Sequence, residues 1–213
     1  MGYPLLPAFL LPLLVITPHG VLATGTEAVD AETPPIPFDD IDESTLQDEV
    51  SRQAAAFLHT VESHWGGDRD SIRRSVTGQV VREDDQDKLI YLRNITDHGV
   101  LEGYEFRHGS LVRGQYIVLQ QPLNGLNEFI GYYQAVKQRL QDTYGGPVQD
   151  HVVWDNDLYQ PLPDYWGVAV MIGHLRYRAE WETPYGTITL ELTGNRHSRL
   201  FLEYKSRDGG ALT

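Results

Sequence analysis

The sequence predicts an α+β fold: two αβββ-type units forming antiparallel sheet, with helices packed on one face. Three observations predict it. Residues 46–65 and 127–144 carry apolar side chains at helical spacing. Each stretch ends in a glycine break and gives way to short runs of alternating apolar and polar residues, the period of a half-buried strand. The order helix, glycine break, β-meander occurs twice, over about 44–122 and 123–208. A single α+β domain over residues 44–208, made of two pseudo-repeats, accommodates that order with one hydrophobic core.

The N-terminus reads as an export address. Leu5 to Ile16 is almost unbroken apolar sequence, and Val21-Leu22-Ala23 is a small-residue cleavage signature. The 12 positions fall short of the roughly 20 that a membrane-crossing helix needs. Pro4, Pro7 and Pro12 each remove a backbone donor from such a helix. No Lys or Arg precedes the run, so the α-amino group supplies the positive start. Residues 1–23 are therefore expected to be a cleaved signal peptide. Residues 24–43 are acidic, hold Pro34, Pro35 and Pro37, and show no periodicity, which predicts a disordered linker.

Ser44-Thr45-Leu46-Gln47 has the form of a capping box, with Ser44 as N-cap and Gln47 reaching back. Leu46, Val50, Ala54, Phe57, Leu58, Val61 and Trp65 then make one apolar stripe, ended by Gly66-Gly67. Asp68 is placed to cap a second short helix, Asp70 to Val76, before Gly78 breaks it. Strands are expected at Val80-Val81, Leu89 to Leu92, Val100 to Phe106 and Leu111 to Leu119, with corners at Asp97-His98-Gly99 and Arg107-His108-Gly109. The second long helix runs from about Asn127 to Tyr144, with Phe129, Tyr133, Val136, Leu140 and Tyr144 on its stripe. Gly145 stands at the left-handed position past its end, and Pro147 prevents continuation.

Strands resume at His151 to Trp154, His174 to Glu182, Thr187 to Thr193 and Arg199 to Lys205. The hairpin around Thr183-Pro184-Tyr185-Gly186 has a definite register. Its alternation sets Trp181 opposite Ile188 and Tyr177 opposite Leu192 on the buried face, and Arg178 opposite Glu191 on the other. A slip of one residue would expose the whole apolar set. Residues 209–213 form a short tail.

Composition removes several function classes. The 213 residues include no cysteine, which excludes disulfides, thiol nucleophiles, Cys-based zinc sites and a lipoprotein anchor. A bacterial protein, periplasmic or extracellular and not lipid-anchored, fits best. The net charge of −13 is uneven: nine acids and no base lie in residues 24–50, leaving 21 acids against 17 bases beyond. Such a chain repels phosphate backbones, so nucleic acid is not an expected partner.

The phrases His64-Trp65-Gly66, Tyr104-Glu105-Phe106 with Gly109-Ser110-Leu111, Tyr144-Gly145-Gly146-Pro147 and the closing strands from Trp181 to Tyr204 carry a resemblance. Over about residues 55–206 they resemble a loose group of uncharacterised exported bacterial α+β proteins marked by WG and YGxP motifs. That resemblance implies a fold and an address, and no activity. A fainter likeness is to small outer-membrane assembly factors in which glycine precedes a helix and a β-meander. Those are lipoproteins, and this chain lacks the cysteine they need.

Signals of chemistry are sparse. His59 and His64 stand five apart, about 140° around a helix, where a zinc-binding pair stands four apart; two helix-surface histidines explain them. Glu83-Asp84-Asp85-Gln86-Asp87 lacks the glycine and terminal glutamate of a calcium loop and reads as a solvated turn, as does Asp155-Asn156-Asp157. Asn94-Ile95-Thr96 matches a glycosylation sequon, which has no role in a bacterial setting. Neither a nucleophile elbow nor a phosphate-binding glycine loop is present. Glu180, Glu182 and Glu191 share a strand face, as surface charges or as carboxylates that a hydrolase would use. No metal and no cofactor is expected.

The residues that remain are aromatic. Trp154, Tyr159, Tyr165 and Trp166 gather around an irregular stretch, Asp155 to Gly167, with Pro161 and Pro163. Two readings stand: they line a groove for a peptide, glycan or lipid, or they plug the sheet edge beneath a long loop; the expected partner is an envelope protein, peptide or glycan. The expectation is an exported, soluble, non-enzymatic binding or envelope accessory protein, acting through that loop or through the sheet face. The alternatives are a hydrolase whose carboxylates or histidines only the fold assembles, and an inhibitor of an envelope enzyme.

Overall fold

The structure, a computed structural model, describes residues 43–84, 87–95, 98–119 and 127–207. The stretches expected to be signal peptide and linker, through residue 42, lie outside them, as do residues 85–86, 96–97, 120–126 and 208–213. Helix α1 (Glu43–Ser63) and the short α2 (Arg69–Ser75) lead into four strands, β1 (Gln79–Asp84), β2 (Lys88–Ile95), β3 (His98–Arg107) and β4 (Ser110–Leu119). Helix α3 (Glu128–Tyr144) leads into β5 (Gln149–Trp154), a helical turn at Pro163–Tyr165 and α4 (Trp166–Met171). Strands β6 (Leu175–Glu182), β7 (Gly186–Gly194) and β8 (Ser198–Ser206) complete the second half.

The α+β expectation is met. All eight strands pair antiparallel in one sheet, ordered β1-β2-β3-β4-β8-β7-β6-β5. Each half supplies four strands, so the repeated unit is αββββ where three strands per unit were expected. The last strands of the two meanders meet at the centre through β4 and β8, and the first strand of each half becomes an outer edge.

Alternation decides which face is covered. Tyr91, Tyr104, Tyr116, Leu202, Leu190 and Ala179 lie on one face and are buried beneath α1, α3 and α4. The apolar stripe of α1, from Val50 to Val61, fills the space above β4, where Gly114 admits it: a Cβ there would lie 2.4 Å from Val61 Cγ2 and 2.9 Å from Phe57 Cζ. The 177–192, 178–191 and 181–188 pairings of the β6–β7 hairpin match the register expected from alternation.

The motif phrases prove to be joints. Trp65 packs edge-on against Tyr204 at 4.8 Å, and the following residues clamp the end of α1 to β4, with Gly66 N–H donating to the Leu111 carbonyl and Leu111 N–H to that of Gly67. At the equivalent point in the second half, the Gly145 carbonyl accepts from Trp181 Nε1 at 2.9 Å, and the Tyr144 hydroxyl donates to Glu62. Gly145 has φ +81° with an extended ψ, so the expected positive φ is present without the left-handed helical ψ. Asp68 caps α2 as expected, accepting from Ser71 N–H at 2.8 Å. The capping box is corrected: Ser44 lies inside α1, and Gln47 bonds the Glu43 carboxylate because the helix begins before it.

Candidate functional site

Strand β5 is the outer strand of the second half. Asp155 N–H donates to the His174 carbonyl at 2.8 Å, which fixes the phase of the β5–β6 ladder. By strand alternation, residues 149, 151 and 153 direct their backbone groups at β6, while Asp150, Val152 and Trp154 direct theirs outward. The side chains of these last three stand on the helix-covered face. Val152, 55% exposed, lies beside Tyr177, whose ring meets Tyr133 of α3 at 5.2 Å. Burial raises both phenols above their ordinary pKa.

Beyond Trp154 the chain folds through consecutive turns. Asn156 Oδ1 accepts from Leu158 N–H, and the amides of Gln160, Leu162 and Tyr165 each donate to the carbonyl three residues back. Asn127, at the start of α3, clamps the far end: its Nδ2 donates to the Pro163 carbonyl at 3.1 Å, and its Oδ1 accepts from Gly167 N–H at 2.8 Å. Trp166 Nε1 donates to the Gln160 carbonyl within the loop.

These bonds bring the four sequence-identified aromatics into one corner. Trp154 meets Trp166 edge-on at 5.8 Å, and Tyr159 lies 6.4 Å from Tyr165 and 6.2 Å from His174. Trp154, Tyr159 and Trp166 are half-buried against the core, so the plugging role is real for part of each ring. Tyr165 is 47% exposed, and Leu158, next to Tyr159 in the chain, is 62% exposed. Leu162 and Ile172 are exposed as well. Leu158, Leu162 and the Asn127 clamp were not singled out from sequence. Leucines beside Pro161 and Pro163 on a predicted loop were the available signal for the first two.

The corner is acidic. No Lys or Arg occurs between Arg139 and Arg176, whereas Asp150, Asp155, Asp157 and Asp164 do. Asp150 pairs with Lys137 at 2.5 Å and Asp155 with Arg176 at 3.1 Å. Asp157 and Asp164 have no ion pair among the described residues.

Other candidates resolve differently. Glu180 and Glu191 are tied to Arg178, and Glu182 to Arg207, on the face away from the helices. Glu83 is tied to Arg69 and Arg73. His59 is exposed on α1. The His64 ring lies between the Thr60 carbonyl at 2.9 Å and the Ser75 hydroxyl at 2.7 Å, and that hydroxyl is also 2.8 Å from the Ser71 carbonyl. On the uncovered sheet face, Leu92, Leu101, Ile117 and Phe201 form a row across β2, β3, β4 and β8, each half-buried by its neighbours.

Among the described residues no group of three or more His, Asp or Glu is placed to hold a metal ion, and no helix is long and apolar enough to cross a membrane. The fold defines an α+β protein built on one eight-stranded antiparallel sheet. No family model matches the chain, and neither does any curated protein or any solved structure.

Proposed function

We propose that this chain is an exported, non-enzymatic binding protein of the bacterial envelope, with the corner from Trp154 to Trp166 as its contact surface for a protein or peptide. One observation carries the reading. Leu158, Leu162 and Tyr165 are exposed on a loop whose turns and Asn127 clamp hold it in one shape, the same loop that carries the half-buried Tyr159 and Trp166. Apolar side chains exposed on one fixed loop offer area for binding at little ordering cost. Inhibition of an envelope enzyme would be one form of such binding.

The test is selection of displayed peptides on the mature protein, with a Leu158→Asp, Tyr165→Ala double variant as the counter-target. Sequences that bind the parent and not the variant support the corner. Equal recovery on both would show that the contact surface lies elsewhere. A hydrolase is the second reading, favoured by the Ser75–His64 contact of 2.7 Å. It requires a serine-directed phosphonate probe to label Ser75 in the intact protein and to fail on His64→Ala.

A further inference from the structure

The two edges of the sheet are built differently. On β1 the ladder is interrupted by a bulge between Val80 and Arg82, and the strand carries Arg82 and Glu83, the latter tied to two arginines of α2. Bulges and charges of this kind protect an edge from added strands. On β5 the register runs unbroken from Gln149 to Trp154, with no Pro, Gly, Lys or Arg.

We propose that the edge of β5 accepts an extended, cationic, alternately apolar peptide segment as a ninth antiparallel strand. This rests on the binding reading above and specifies the partner's form. Asp150, Val152 and Trp154 supply the outward N–H and C=O groups that strand addition uses. Residues of the added strand opposite them point to the helix-covered face, beside exposed Val152 and the half-buried Trp154, and are apolar. Residues between them lie beside Gln149 and His151 on the uncovered face and are polar. An antiparallel segment places its N-terminal end at the C-terminal end of β5. There Asp157 and Asp164 have no ion pair among the described residues, and Tyr159 and Tyr165, with ring centroids 6.4 Å apart, are aromatic partners for a cation. A second copy of β5 fits worse. It brings Asp150 and no base to that same acidic end.

The experiment uses the mature protein and a synthetic peptide with two N-terminal arginines followed by alternating Val and Thr, followed by fluorescence anisotropy. Binding should weaken about tenfold or more when two glutamates replace the arginines. Val152→Pro removes an outward donor while leaving the β5–β6 ladder whole, and should abolish binding with an unchanged melting curve. Peptides N-methylated on alternate residues in the two possible phases test the same point on the parent protein, so a misfolded Val152→Pro would not stall the answer. One phase should lose binding and the other keep it. Equal binding of both phases, full binding by a folded Val152→Pro, no binding of the parent peptide, or a β5-dependent dimer that excludes the peptide would each overturn strand addition. Loss of binding in Leu158→Asp alongside retention in Val152→Pro would refute the added strand and leave the corner standing. Retention in Leu158→Asp with loss in Val152→Pro would do the reverse.

Discussion

Raising the pH past 10 should unfold this protein over a narrow range, because its core is filled with phenols. Tyr104, Tyr116, Tyr132 and Tyr133 are each at most 2% exposed. Burial raises the pKa of all four, and carboxylates add to it: Glu102 beside Tyr104 and Tyr116, Glu128 bonded to Tyr132, Asp150 near Tyr133. In the native state these hydroxyls keep their protons, whereas the unfolded chain releases them near pH 10. The stability they contribute is therefore complete below pH 10 and declines as pH rises above it. Each group costs about 1.36 kcal/mol per pH unit, so the four together cost roughly 5 kcal/mol per unit. Against a domain stability of about 5–15 kcal/mol, unfolding falls roughly one to three units above pH 10. Far-ultraviolet circular dichroism and tyrosinate absorbance, followed together through the titration, read this directly. The buried tyrosinates should appear in the same transition in which the sheet signal is lost. Tyr116→Phe should lower the slope by about 1.4 kcal/mol per unit. It should leave stability at neutral pH unchanged or higher, because the Tyr116 hydroxyl has no hydrogen-bond partner among the described residues. Ionisation of Tyr104, Tyr116, Tyr132 and Tyr133 near pH 10 with the circular dichroism intact would refute this reasoning.

Three further outcomes follow from the packing. Gly114→Ala should destabilise by about 1–3 kcal/mol, since its methyl group meets Val61 and Phe57 of α1, and adding Val61→Ala should recover part of the loss in urea unfolding. Arg93→Ala should cost about 3 kcal/mol by the same assay. It removes the 2.8 Å partner of Glu102, which is 1% exposed and would keep, among the described residues, only the Tyr104 hydroxyl. Asn127→Ala should lose about 1–2 kcal/mol and speed amide exchange across residues 156–167, because both clamping bonds to that loop disappear.

What could be read before folding was whatever the chain encodes locally. The stripes of α1 and α3 and the register of the β6–β7 hairpin depend on spacing alone, and they stand where spacing put them. The apolar run Val168 to Ile172 was too short and too uniform to show a period, so α4 was not anticipated. The joining of β4 to β8 is a long-range choice, and with it the fact that β5 becomes an edge. The aromatic corner was visible as composition: Trp154, Tyr159, Tyr165 and Trp166 crowd one stretch. Its rigidity was not, because the clamp comes from Asn127, 36 residues before Pro163. The acid clusters misled for a related reason. Their arginine partners, such as Arg69 and Arg73 for Glu83, meet them only through the fold.

Hydrogen exchange on the protein, with and without a peptide selected as above, tests the central claim most directly. The account expects slowed exchange at the outward amides of Asp150, Val152 and Trp154 and across residues 156–166, with β1 to β4 unchanged. Slowing confined to the uncovered sheet face around Leu101, Ile117 and Phe201, with β5 and its loop exchanging as before, would contradict it.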